Sequence, residues 1–135
     1  MTPGRTMATR REARERALAL CYELETKGGS PDTILDALPA PPDAYTVTLV
    51  RGVGDHRAEL DAWLGKYSER WAVGRMPAVD RAVLRIGSYE LGYEPELPVG
   101  VVIDEAVELA RQYSTADSGR FVHALLARIA DQVRT

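Results

Sequence analysis

The stretch Val79–Leu91, reading VDRAVLRIGSYEL, constrains this chain more than any other. Wound as an α-helix of about 100° per residue, it puts Val79, Ala82, Val83, Leu84, Ile86, Gly87, Tyr89 and Leu91 on one arc. That arc covers roughly 220°, whereas a surface helix buries a stripe of about 100°. The segment therefore predicts a central helix with others packed on several sides. Arg81, Arg85 and Ser88 share the narrow strip that remains. Pro77 suits the first turn, where its missing N–H has no helical partner.

Two carboxylates interrupt the arc. Asp80 sits near the helix N-terminus, where the dipole favours an acid and free backbone N–H groups can be accepted. Glu90 lies near the other end, where the dipole disfavours negative charge. It is either paired inside the fold with an arginine or held at a rim for a group that arrives later.

The rest of the chain reads as helices around that one. Thr9 and Glu12 form a capping box, predicting a helix to about Lys27 that buries Ala13, Ala17, Leu20, Cys21 and Leu24 and ends at Gly28-Gly29. Residues 1–8 have no periodicity and read as a mobile arm ahead of one domain spanning 9–135. Ser30-Pro31 opens a short helix to about Leu38. A long helix is expected from Asp43 to Lys66, with Leu49, Val50, Val53, His56, Leu60 and Leu64 on its apolar side. A lone histidine there is more often a core residue than a ligand. Beyond Pro98, Val99, Ile103, Ala106, Val107 and Ala110 predict a helix ending near Tyr113. The last begins within 115–120 and buries Val122, Leu125, Leu126, Ile129 and Val133. No strand alternation occurs, so the expected fold is all-α, a compact single-domain bundle.

Composition narrows the function. The 135 residues are 45% apolar and 27% charged, which suits one soluble domain with a core. No apolar run approaches the ~20 residues that span a bilayer, no secretory leader opens the chain, and the single cysteine fits a reducing compartment. A cytoplasmic protein away from membranes is expected. Net charge is −3, yet five arginines against two glutamates make residues 1–16 +3 and leave −6 for the rest. Such asymmetry points to a basic arm with an anionic partner.

Chemistry-bearing groups are sparse. With only His56, His123 and Cys21 and no metal-ligand or P-loop spacing, neither an enzyme nor a bound metal or cofactor is expected. Arg10, Arg11 and Arg14 cluster at three- and four-residue spacings, which suits either an anion or a solvated face paired with Glu12 and Glu15. In the run Asp117–Arg120, a helix N-terminus, Gly119 and Arg120 suit a phosphate, with His123 one turn on. Plain capping by Asp117 or Ser118 explains the same residues.

These pieces, taken in order, resemble the NusB transcription antitermination family. The likeness runs from Arg11-Glu12-Ala13-Arg14, Ala17-Leu18 and Tyr22, through Val79-Asp80-Arg81, Leu84-Arg85 and Tyr89-Glu90-Leu91. It continues through Pro98, Val101, Ile103, Glu105-Ala106-Val107 and Leu109-Ala110 to Asp117-Ser118, Arg120-Phe121-Val122 and Leu126. The resemblance implies a bundle of about seven helices. It implies binding to boxA RNA together with NusE, a ribosomal small-subunit protein, and indirect association with other Nus factors and RNA polymerase. The outcome would be suppressed termination, chiefly in ribosomal RNA operons. Arg10, Arg11, Arg14, Asp117, Ser118, Arg120, Phe121 and His123 would then contact RNA, while Tyr22 and Glu90 face NusE. The family usually has Asn-Gly where this chain has His123-Ala124, so RNA affinity is expected to vary with pH. A monomer and a homodimer both stay open. The competing readings are a helical protein-interaction module without RNA specificity, and the RNA-guiding part of a ribosomal RNA methyltransferase. The second is disfavoured by the lack of a cofactor-binding domain.

Overall fold

The computed structural model describes residues 6–134. Among them are seven α-helices, one 3₁₀ turn and no strand, as an all-α reading requires. The expected arm at 1–8 lies outside the described residues at 1–5. Backbone helix starts at Thr6, so Thr9 falls inside the first helix rather than at its start. The chain divides into two compact units, one ending at Asp55 and one beginning at His56.

The first unit holds α1 (Thr6–Lys27), α2 (Pro31–Asp36) and α3 (Ala44–Asp55). Gly28 and Gly29, with φ of +78° and +100°, end α1 in a conformation that side chains other than glycine resist. Ser30 caps α2 by accepting from the Thr33 N–H at 3.1 Å. α1 packs on α3, and Ala13 and Ala17 of the one and Leu49 and Val50 of the other are nearly inaccessible. The buried Thr46 hydroxyl donates to the Ala13 carbonyl at 3.1 Å across that contact.

The long helix expected from Asp43 to Lys66 is broken at His56, where the backbone turns through φ −110° and ψ 14°. Glycines at 52 and 54 weaken helix near the break. Gly54 is needed for another reason, since a Cβ there would lie 2.3 Å from the Pro31 ring.

The second unit contains α4 (Arg57–Tyr67), the 3₁₀ turn Val73–Arg75, α5 (Ala78–Tyr93), α6 (Val99–Tyr113) and α7 (Ser118–Val133). α5 packs against α4, α6 and α7, which makes it the central helix of this unit. It is buried beyond what its sequence suggests, for Arg85 and Ser88 are nearly inaccessible although they lie on its polar strip. Arg85 is tolerated because Asp61 of α4 takes both its Nε (2.8 Å) and Nη2 (3.0 Å) protons. Arg81 donates to the Val73 and Met76 carbonyls, fastening the 3₁₀ turn to α5. At the other end Arg134 donates to the carbonyls of Leu91 (2.6 Å) and Glu94 (3.1 Å), satisfying the last turn of α5.

His56 is not a core residue. Its side chain is 37% exposed, and its ring stacks on Tyr93 with centroids 4.0 Å apart. Tyr93 in turn donates a very short hydrogen bond to Glu59.

Candidate nucleic-acid interface

The arginine cluster of α1 does not present three equal guanidiniums. Arg10 and Arg11 are exposed, whereas Arg14 is 4% exposed and sits within the fold. Position 14 falls beside Ala13 and Ala17 on the buried stripe, and proximity along one turn does not set exposure. The Arg10 guanidinium lies 3.9 Å over the Tyr45 ring, and that of Arg14 lies 5.8 Å from the same ring. Tyr45 is itself fixed, because its N–H donates to the Asp43 carboxylate at 2.9 Å as α3 begins. A cation over an aromatic face is held without losing its outward N–H groups. Tyr22, one turn past Leu18 on the same helix, is exposed at 41%.

In the second unit the run 117–123 separates into two sets. Asp117, Arg120 and His123 are exposed. Ser118 and Phe121 are buried, at 2% and 8%. Ser118 turns its hydroxyl to the carboxylate of Asp80 on α5, at 2.8 and 2.9 Å, and accepts from the Thr115 N–H at 3.2 Å. Phe121 packs edge-on against Trp71, with centroids 4.9 Å apart. Asp117 makes no side-chain capping bond, so Ser118 ties down the start of α7. Gly119 serves helix packing, since a Cβ there would lie 3.3 Å from the Arg111 side chain and 3.5 Å from Val107 on α6.

Glu90 is 1% exposed and is not without a partner. Of the two positions left open by the sequence, inside the fold or at a rim, the side chain takes the inner one. The reason is that α5 is covered on almost every side, which leaves no rim near its end for a waiting carboxylate.

Beside the exposed set lies an open groove of about 440 Å³, lined by Glu69, Arg70, Asp117, Arg120, Phe121 and Arg128 among others. Arg70 stacks on Trp71 at 4.1 Å. Arg128 donates from Nε to the Tyr67 carbonyl at 2.9 Å. Neither arginine belongs to the clusters that the sequence marks for anion binding. Arg128 carried a signal, since 117, 121, 124 and 128 fall on one stripe of a helix. Arg70 lies in a turn without periodicity and carried none.

Comparison with known proteins agrees with this architecture. The family model described as "NusB family" matches residues 11–131. The transcription antitermination protein NusB of Kineococcus radiotolerans is 48% identical over 134 residues, covering 96% of this chain and 98% of that protein. A crystal form of T. maritima NusB superimposes with a TM-score of 0.81 at 32% identity, covering 91% of each chain. A crystal structure of antitermination factors NusB and NusE in complex with double-stranded RNA matches with a TM-score of 0.79. It is 25% identical and covers 93% of this chain and 98% of the other. The chain belongs to the NusB family of transcription antitermination proteins.

Proposed function

We propose that the protein binds boxA-type single-stranded RNA together with NusE and suppresses termination, chiefly during ribosomal RNA synthesis. The observation that carries this reading is the family match across residues 11–131, joined to a related protein solved with NusE and RNA. Exposed arginines on both units suit such a ligand. Arg10 and Arg11 supply phosphate contacts from α1, and Arg120 supplies one from α7. Asp117 and His123 offer an acceptor and a donor for base edges. Arg14, Ser118 and Phe121 act from within. Arg14 supports the Tyr45 ring under Arg10, and Ser118 and Phe121 hold the first turns of α7 in place.

Tyr22 contributes an exposed aromatic ring to the NusE-facing surface, the kind of side chain that anchors interfaces. Glu90 contributes to that surface only through the shape of α5. Other Nus factors and RNA polymerase are then met through the complex. The role is cytoplasmic and non-catalytic and calls for no cofactor.

The test is fluorescence anisotropy of a short boxA-like RNA, titrated with the protein in the presence and absence of its NusE. Scrambled and duplex RNAs serve as competitors. The expected result is tighter binding with NusE, lost on scrambling. Failure to prefer the boxA-like strand in either condition would overturn the reading in favour of a helical protein-interaction module.

A further inference from the structure

We infer that the groove between the turn carrying Arg70 and the first turns of α7 is a phosphodiester subsite, with Arg70 and Arg128 as RNA contacts beside Arg120. The inference rests on the RNA-binding reading above.

Three guanidiniums face one groove against the carboxylates of Glu69 and Asp117, in a chain whose overall charge is −3. Two of the three are held in position. The Arg70 guanidinium lies over the indole of Trp71, which is braced edge-on against Phe121. Arg128 uses Nε on the Tyr67 carbonyl, and a guanidinium has four further N–H donors beyond that one. Groups held before the ligand arrives lose little freedom on binding it. The Arg128–Glu69 pair is a loose one at 3.7 Å, with the Glu69 side chain 79% exposed. A phosphate can displace a contact of that kind at little cost.

The mixed lining also favours a nucleotide over an acidic peptide. Guanidiniums need acceptors, and the exposed Asp117 carboxylate needs a donor. A nucleotide carries both, as phosphate oxygens and as base amino groups. Aspartate and glutamate side chains carry acceptors alone, so an acidic peptide would have to answer Asp117 from its backbone N–H groups. Phe121 and Arg128 share one stripe of α7 and Asp117 precedes its first turn, and with Arg120 in the same lining the groove is continuous with the exposed set already assigned to RNA.

The experiment is a salt titration of RNA affinity for the full chain and its variants Arg70→Gln, Arg128→Gln, the double variant, Arg128→Lys and Glu69→Gln. Thermal melts serve as the control for folding. Each lost contact should make the slope of log affinity against log salt shallower by roughly 0.7, and the double variant by roughly 1.4. Glu69→Gln should bind RNA more tightly at low salt, which a structural role for Glu69 would not produce. Arg128→Lys, which keeps the charge, should keep the slope. Should Arg128→Gln unfold, Arg70→Gln decides alone. A wild-type slope in the double variant, with RNA binding retained, overturns the subsite and leaves the RNA reading standing. Absence of RNA binding by the wild type overturns both. Loss of binding to NusE or an acidic peptide, with RNA binding unchanged, reassigns the groove to protein.

Discussion

The Ser118 hydroxyl meets the Asp80 carboxylate across the α5–α7 contact, with Oγ 2.8 Å from one oxygen and 2.9 Å from the other. Both residues are almost fully buried, at 2% and 1% exposure. Ser114 donates to the same carboxylate at 2.5 Å. Two hydroxyls thus answer an acid near the start of α5, where the helix dipole also favours it. This fixes the chain on either side of the 115–117 turn and so sets where Asp117 and Arg120 stand.

Ser118→Ala removes one of those donors while Asp80 stays buried. It should lower stability by about 1–3 kcal/mol, the cost of leaving a buried polar group short of a partner, as read by urea unfolding. RNA affinity of the folded fraction should change little beside that of Arg120→Ala. Weaker RNA binding at unchanged stability would instead make Ser118 a direct contact.

Arg85 on α5 depends on Asp61 of α4 in a similar way. The pair is bidentate, and Arg85 is 5% exposed. Asp61→Asn removes the countercharge, so the unfolding free energy should fall toward the low end of the ~3–5 kcal/mol typical of a broken buried pair. The low end applies because the Asp61 side chain is 28% exposed and water can screen the loss. An unfolding midpoint equal to wild type would show that other contacts carry Arg85.

These two pairs explain what could and could not be read from the sequence. The apolar arc of α5 is a property of residues within a few turns, and a single segment displays it. Arg85 and Ser88 look like the outward strip of the same helix, because the Asp61 that permits burial of Arg85 lies 24 residues away. The break at His56 stayed hidden for a related reason: Leu49, Val53, Leu60 and Leu64 keep helical spacing straight through it. Gly54 answers to Pro31, which belongs to a different helix. In the candidate site, residue type pointed to anion chemistry at 10, 11, 117, 120 and 123. Type does not report depth, and Arg14, Ser118, Phe121 and Glu90 are all inside. Arg128 followed a readable stripe, whereas Arg70 owes its place in the groove to a turn.

Tyr93 should report its neighbour by titration. Its hydrogen bond to Glu59 is the largest cause pushing the phenol up from its ordinary value of 10.0, followed by burial and by the charge of the same carboxylate. A folded value above the unfolded one means that the contribution to stability is complete below the unfolded value. It is lost as pH rises through the folded value. Subtracting the alkaline absorbance titration of Tyr93→Phe from that of wild type should isolate a transition later than that of free tyrosine. Glu59→Gln should bring it back down. A transition unmoved by Glu59→Gln would exclude the hydrogen bond as the cause.

RNA and NusE binding should separate along α1. Arg11 is exposed near its start and Tyr22 is exposed, at 41%, three turns further on. Arg11→Ala removes one phosphate contact, so the salt slope of RNA binding should become shallower by roughly 0.7 while affinity for NusE holds. Tyr22→Ala removes an aromatic anchor and should weaken NusE by about 2 kcal/mol, with RNA binding by the isolated protein unchanged. Neither side chain belongs to the buried set, so both variants should melt close to wild type. Measured by anisotropy for RNA and calorimetry for NusE, the two effects should cross over. If each variant lost both partners equally at an unchanged melting temperature, the two ligands would be sharing one surface of α1, and the division of roles between Arg11 and Tyr22 would fall.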